Sequence, residues 1–97
     1  MKVFPGMEEE YKRRHDAIWP ELSELLKTTG ISSYSIFLDK GDGSLFGVLN
    51  VEDEMKMEAL PQHPVMKKWW TYMKDIMETD TDHSPISIPL TEVFYLP

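Results

Sequence analysis

His15 lies four residues after Tyr11, a spacing that stacks the two side chains on one face of a helix, and Met7, Ile18 and Leu22 belong to the same face. An imidazole in that position points inward. Two readings follow. It is either a core histidine tied to a backbone group, or an acid/base group, because imidazole titrates near neutral pH and can both give and take a proton. Patterning alone does not choose between them. Tyr11 on the same face and Tyr34 in the next predicted strand place hydroxyls near one imidazole, a polar cluster in an otherwise apolar cavity. Trp69 and Trp70 are neighbours on a helix and point about 100° apart, so one is expected in the core and the other at its edge. Packing is the ordinary role of such residues. The functional role is that an indole covers the C–H face of a sugar ring while its N–H reaches a hydroxyl.

Other polar residues carry less. His63 before Pro64 reads as a helix-start residue, and His83 falls in the acidic loop Asp80-Thr81-Asp82-His83, where solvation is expected. Asp16 and Asp39 are candidate hydrogen-bond acceptors. There is no HExxH, EF-hand loop, phosphate-binding glycine loop or dinucleotide fingerprint, so no cofactor and no metal are inferred. No nucleophile elbow supports a Ser-His-Asp triad.

The 97 residues imply one domain with a thin stability margin, for which a second copy is a common remedy. Seventeen acidic against ten basic residues give a formal charge of −7, which disfavours nucleic acid and anionic membranes as partners. Cysteine is absent, which removes disulfides and thiolate chemistry and fits a reducing compartment. Apolar runs are short and no signal-like segment opens the chain, so a cytoplasmic location is expected, without a membrane span.

The elements that must position these residues can be read from periodicity. Met1 to Phe4, closed by Pro5-Gly6, reads as the end of a first strand. Met7, Tyr11, Ile18, Leu22, Leu25 and Leu26 recur at helical spacing, with Glu8, Glu9 and Glu10 in the first turn. Pro20 cannot donate to residue 16, which predicts a kink or restart near Trp19, and Gly30 is the expected terminator. Ile31 to Leu38 alternates with Tyr34, Ile36 and Leu38 on one face, and a loop over residues 40–44 leads to a second run, Leu45 to Val51. A short helical piece runs to Leu60 before Pro61. A long helix then starts at Pro64, with Val65, Met66, Trp69, Tyr72, Met73, Ile76 and Met77 as its apolar arc. Leu90 to Leu96 (LTEVFYL) reads as the last strand. The order is that of an α+β, ferredoxin-like βαββαβ sandwich with an antiparallel sheet. Two helices on one face leave the other face of the sheet bare, and pairing with a second copy gives a dimeric α/β barrel.

EEYKRRHDAIWPEL at residues 9–22, YSIFLDK at 34–40, KWWTYM at 68–73 and EVFYLP at 92–97 together resemble the L-rhamnose mutarotase family over nearly the whole chain. The resemblance implies a cofactor-free, metal-free homodimer that interconverts the α and β anomers of L-rhamnose or a related deoxyhexose. It further implies His15 as proton donor and Tyr11, Tyr34, Trp69 and Trp70 as sugar-binding residues. The partner base is left open among a tyrosine, Asp39 and a bound water. Against the family pattern the chain starts several residues late, so a clipped first strand is expected, and the 79–84 loop (TDTDHS) departs from the family version. Two alternatives use the same fold: a cofactor-free monooxygenase, favoured by a larger apolar pocket, and a non-catalytic sugar-binding dimer in which His15 is only structural.

Overall fold

The computed structural model describes residues 1–97. It contains helices α1 (Glu8–Asp16) and α2 (Pro20–Thr28), strands β1 (Ile31–Leu38) and β2 (Leu45–Val51), a short helix α3 (Glu54–Glu58), a 3₁₀ turn (Leu60–Gln62) and helix α4 (Pro64–Met73). The fold is α+β, as expected. The chain restarts at Trp19: α1 and α2 are separate helices, and Pro20 opens α2 at a position where its missing N–H costs no helical bond. Gly30 follows α2 with φ +92°, a left-handed conformation that glycine adopts without penalty. At the other turn signals, the Asp53 carboxylate accepts from Met55 N at 2.9 Å, and His63 Nδ1 accepts from Val65 N at 3.2 Å. His63 is thus the helix-start residue that its sequence position suggested. Pro61 lies within the 3₁₀ turn and does not end a helix.

β1 and β2 are antiparallel, with Leu38 opposite Leu45 and Ile31 opposite Val51. Between Ser32 and Ser35 the register shifts by one residue, and Ser33 takes φ +51°. This bulge has a consequence for the side chains. Alternation from Leu38 and Ile36 back to Tyr34 holds, and the extra residue then brings Ile31 to the same side, where it is buried.

Two expectations about strands need correction. Met1–Phe4 does join the sheet, but only as a stub: Lys2 bridges Ser44 and Val3 bridges Met77, both antiparallel. Phe4 N donates to Ile76 O and Glu78 N to Lys2 O, each at 2.9 Å. The place beside the first strand is therefore taken by residues 76–78, which had been assigned to the long helix. Ile76 and Met77 sit at helical spacing from Met73, so periodicity could not separate burial on a helix from burial on a strand. Leu90–Leu96, expected as the last strand, pairs with nothing. It is an arm with no regular structure, and Val93, Phe94, Tyr95 and Leu96 are 73–93% exposed. The expected ferredoxin-like order survives with this reassignment.

Leu22, Met73 and Ile76 are the largest fully buried side chains, and with Val3, Tyr11, Leu45, Met66, Trp69 and Met77 they form the core between helices and sheet. On the opposite face Phe37 and Phe46 pair directly and, with Val48, are 44–59% exposed. The bare sheet face anticipated from two helices on one side is present in the single chain.

Candidate functional site

α1 owes little to hydrophobic burial, since only Tyr11 and Arg14 are buried along it. Three glutamates in its first turn and Arg13, Arg14 and His15 in its last turn suit the ends of the helix dipole. The break before Pro20 leaves His15 in that final turn, on the side facing α4.

There the rings converge. The Tyr11 and His15 rings stack with centroids 4.3 Å apart and an interplanar angle of 25°. The Trp69 and His15 rings meet perpendicular to one another, with centroids 5.4 Å apart. His15 Nδ1 lies 3.0 Å from the carbonyl oxygen of Tyr11. A carbonyl only accepts, so Nδ1 carries the hydrogen, and the lone pair of the neutral ring is on Nε2, which has no hydrogen bond within the protein. Burial lowers the pKa of His15, against the smaller opposing effects of the Tyr11 carbonyl and Asp16. The neutral ring is accordingly favoured near pH 7.

The two tyrosines hold their protons. Burial raises the pKa of Tyr11 far above its usual value, and the nearby Tyr34 adds to the effect. Burial also raises Tyr34. Although 44% of Tyr34 is exposed, its ring crosses β2: a Cβ on Gly47 would be 3.7 Å from both the Cε1 and the hydroxyl oxygen. Tyr34 also lines a cavity of about 350 Å³ with Ile18, Ser23, Lys27 and Ser33 among its walls. A larger cavity of about 460 Å³ lies farther along the β1–β2 end, around Gly30, Asn50 and Glu52, and touches none of the candidate residues.

The structure thus unites Tyr11, His15 and Trp69 by direct ring contact, with Tyr34 near enough to oppose ionisation of Tyr11. Trp70 makes none of these ring contacts. It is half-buried against the core, whereas Trp69 is 5% exposed. The expectation that one indole is central and the other peripheral holds. Asp39 lies exposed in the hairpin loop, away from these ring contacts, where its side chain accepts from Gly41 N at 2.8 Å. Asp16 pairs with Lys12 on the exposed side of α1. His83 is half-buried in a tight turn, with φ +69°.

Several participants were not legible in the sequence. Trp19 meets Trp69 edge-on at 5.1 Å and stacks with Tyr72 at 5.5 Å, extending the aromatic cluster. Arg14 then lies over the Tyr72 ring at 4.3 Å. The motif containing Trp19 marked it only as a helix break. Arg14 sits in the charged run Lys12-Arg13-Arg14, where nothing in the spacing singles it out.

The family model for L-rhamnose mutarotase matches residues 1–96. The chain belongs to the L-rhamnose mutarotase family. An L-rhamnose mutarotase of Brucella anthropi is 58% identical over 97 residues, spanning all of this chain and 92% of that protein. One from Sinorhizobium fredii is 59% identical over 96 residues, covering 99% of this chain and 92% of its own length. The crystal structure of an L-rhamnose mutarotase from Formosa agariphila superposes with a TM-score of 0.92 at 46% identity, covering all of this chain and 93% of that one.

Proposed function

We propose that the protein interconverts the α and β anomers of L-rhamnose, with His15 as the acid/base group. Membership of the mutarotase family over residues 1–96 supports the reaction, and it argues against both the oxygenase and the non-catalytic alternatives. The observation that carries the site assignment is His15 itself, with Nδ1 tied to the Tyr11 carbonyl and Nε2 unoccupied by any protein group. Mutarotation requires a proton on the ring oxygen and loss of one from the anomeric hydroxyl. The bond from the anomeric carbon to the ring oxygen then breaks, the aldehyde turns, and the ring closes with both proton transfers reversed.

Nε2 is the nitrogen available for this exchange. The imidazolium, the minor form near pH 7, donates from Nε2 to the ring oxygen, and after donation the neutral ring is the base for reclosure. Tyr11 and Tyr34, held protonated, serve as hydrogen-bond donors to sugar oxygens and not as bases, which leaves Asp39 or a water to take the anomeric proton in the opening step. Trp69 fixes the imidazole from one side, and Trp70 offers an indole at the edge. One positioned acid/base group contributes roughly 10²–10⁴-fold, which is useful for a reaction that already runs unaided in water.

We further place the active form as a homodimer in the cytoplasm. The apolar face bearing Phe37, Phe46 and Val48 and the exposed arm bearing Val93, Phe94 and Leu96 both call for cover, and a second copy supplies both surfaces at once. No helix is long and apolar enough to cross a membrane.

Saturation-transfer NMR on equilibrated L-rhamnose tests the activity. Catalysed exchange between the anomeric protons is expected, and His15→Ala should remove most of it. Folded wild-type protein that leaves the exchange rate unchanged would overturn the proposal.

A further inference from the structure

The side chain of Arg14 is only 10% exposed, and every part of its fork is used. Nε donates to Glu10 Oε2 at 2.8 Å. Nη1 donates to the Tyr72 carbonyl at 2.7 Å and to Asp75 Oδ1 at 2.8 Å, and Nη2 reaches Asp75 Oδ2 at 3.2 Å. The guanidinium carbon also sits 4.3 Å from the centre of the Tyr72 ring. One residue of α1 therefore grips the C-terminal end of α4 through a backbone carbonyl, a carboxylate and an aromatic face. Asp75, although 62% exposed, is held well below the usual carboxylate range by this arginine.

The grip has a geometric consequence for the site. Arg14 and His15 are consecutive, so they address α4 and the turn after it at two points: Arg14 at Tyr72 and at Asp75 just past the helix end, His15 at Trp69. Tyr72 meets Trp69 at 5.7 Å and stacks on Trp19, which meets Trp69 in turn. Moving the end of α4 moves Tyr72, and Tyr72 packs against the same indole of Trp69 that meets the imidazole. We infer that Arg14, clamped by Asp75, is a positioning residue that fixes Trp69 and Tyr72 against His15. A lysine cannot substitute, because a single ammonium cannot serve the carboxylate, the carbonyl and the ring face together.

The inference rests on the acid/base reading of His15 for its kinetic arm, and has a spectroscopic arm that does not. Arg14→Lys and Asp75→Asn are made in the full chain and assayed well below their melting temperatures, with folding checked by circular dichroism. The expected result is a fall in kcat of about tenfold for Arg14→Lys, with KM within about twofold, since small misplacements of a reacting group are costly while sugar contacts persist. Asp75→Asn should show the same pattern to a smaller degree, and the double variant should be little worse than Arg14→Lys alone, because both act through one contact. The Trp69 indole N–H resonance should shift in both single variants. A purely structural role would lower the melting temperature but leave kcat and that resonance unchanged in the folded variants, and this result overturns the inference. If Arg14→Lys does not fold, Asp75→Asn decides by the same two readouts. If wild-type protein proves inactive on rhamnose, the indole shift alone still decides.

Discussion

Gly47 is the position where the site can be perturbed without touching a polar group. It lies on β2 opposite Ile36, on the face where Tyr34 crosses from β1, and a Cβ there would sit 3.7 Å from both Cε1 and the hydroxyl of Tyr34. That is ordinary van der Waals distance, so Gly47→Ala fits. Valine extends about 1.5 Å beyond Cβ, and a γ-methyl on the Tyr34 side closes the gap to less than contact distance. The phenol must then swing away. If its hydroxyl donates to the sugar, the loss is one neutral hydrogen bond of about 0.5–1.5 kcal/mol, or roughly 2- to 13-fold in kcat/KM. Stability should hold or rise, because valine suits a strand better than glycine.

The assay is anomeric exchange by NMR beside a thermal melt, with Tyr34→Phe as the reference. Gly47→Val should match Tyr34→Phe in activity while keeping the wild-type melting temperature, and Gly47→Ala should resemble wild type. Two results would refute the steric argument: full activity in Gly47→Val where Tyr34→Phe is impaired, or an alanine as harmful as the valine.

Other expectations concern stability and assembly. Leu22→Ala empties a site that is 1% exposed and should cost about 2–5 kcal/mol in urea unfolding, and a cost under about 1 kcal/mol would mean that the helices collapse onto the gap. Glu10, lowered to about 2 by Arg13 and Arg14, and Asp75, lowered by Arg14, favour the folded state above their unfolded pKa values. That stabilisation is lost as pH falls from about 4.5 toward 2, so Glu10→Gln and Asp75→Asn should flatten the acid limb of a stability profile. His15 acts in the same direction at higher pH: its folded pKa lies below 6.5, so stability falls as pH drops from 6.5 through the folded value, and His15→Gln should remove that slope. If the proposed homodimer forms through the bare sheet face, Phe37→Lys places a charge there and should yield monomers in sedimentation, whereas an unchanged dimer would place the interface elsewhere.

The sequence carried the placement of the candidate residues further than it carried the sheet, for physical reasons that differ by residue. Tyr11 and His15 sit at an interval that only a helix makes sense of, and their partner Trp69 lies on another strongly periodic segment, so each could be assigned a face. Pro20 and Gly30 act through their own backbone limits and were readable for that reason. Ile76 and Met77 were not, because nothing local ends α4: Lys74 and Asp75 tolerate a helix, and no glycine or proline intervenes. What accompanies the ending is a long-range contact, the guanidinium of Arg14 taking the Tyr72 carbonyl. The arm failed differently. LTEVFYL has the composition of a strand, but a strand needs an edge to pair with, and the place beside Val3 is already filled by residues 76–78.

That substitution connects the fold to the chemistry. Because α4 stops at Met73, the next residues can turn back into the sheet beside Val3, and the clasp between α1 and α4 falls at this corner and not in the middle of a longer helix. The same break-and-clasp arrangement recurs on α1, where Pro20 forces a restart and leaves His15 in a terminal turn. A continuous helix through residue 19 would give His15 and Trp19 the spacing of neighbours on one face. With the break, Trp19 instead packs against Trp69 and Tyr72, behind the imidazole's own partner. Pro20→Ala therefore tests whether the break is needed: α1 and α2 should gain helicity by circular dichroism, and anomeric exchange should fall because Trp19 leaves the cluster. A variant with more helix and undiminished exchange would show that the aromatic support of His15 does not depend on the restart.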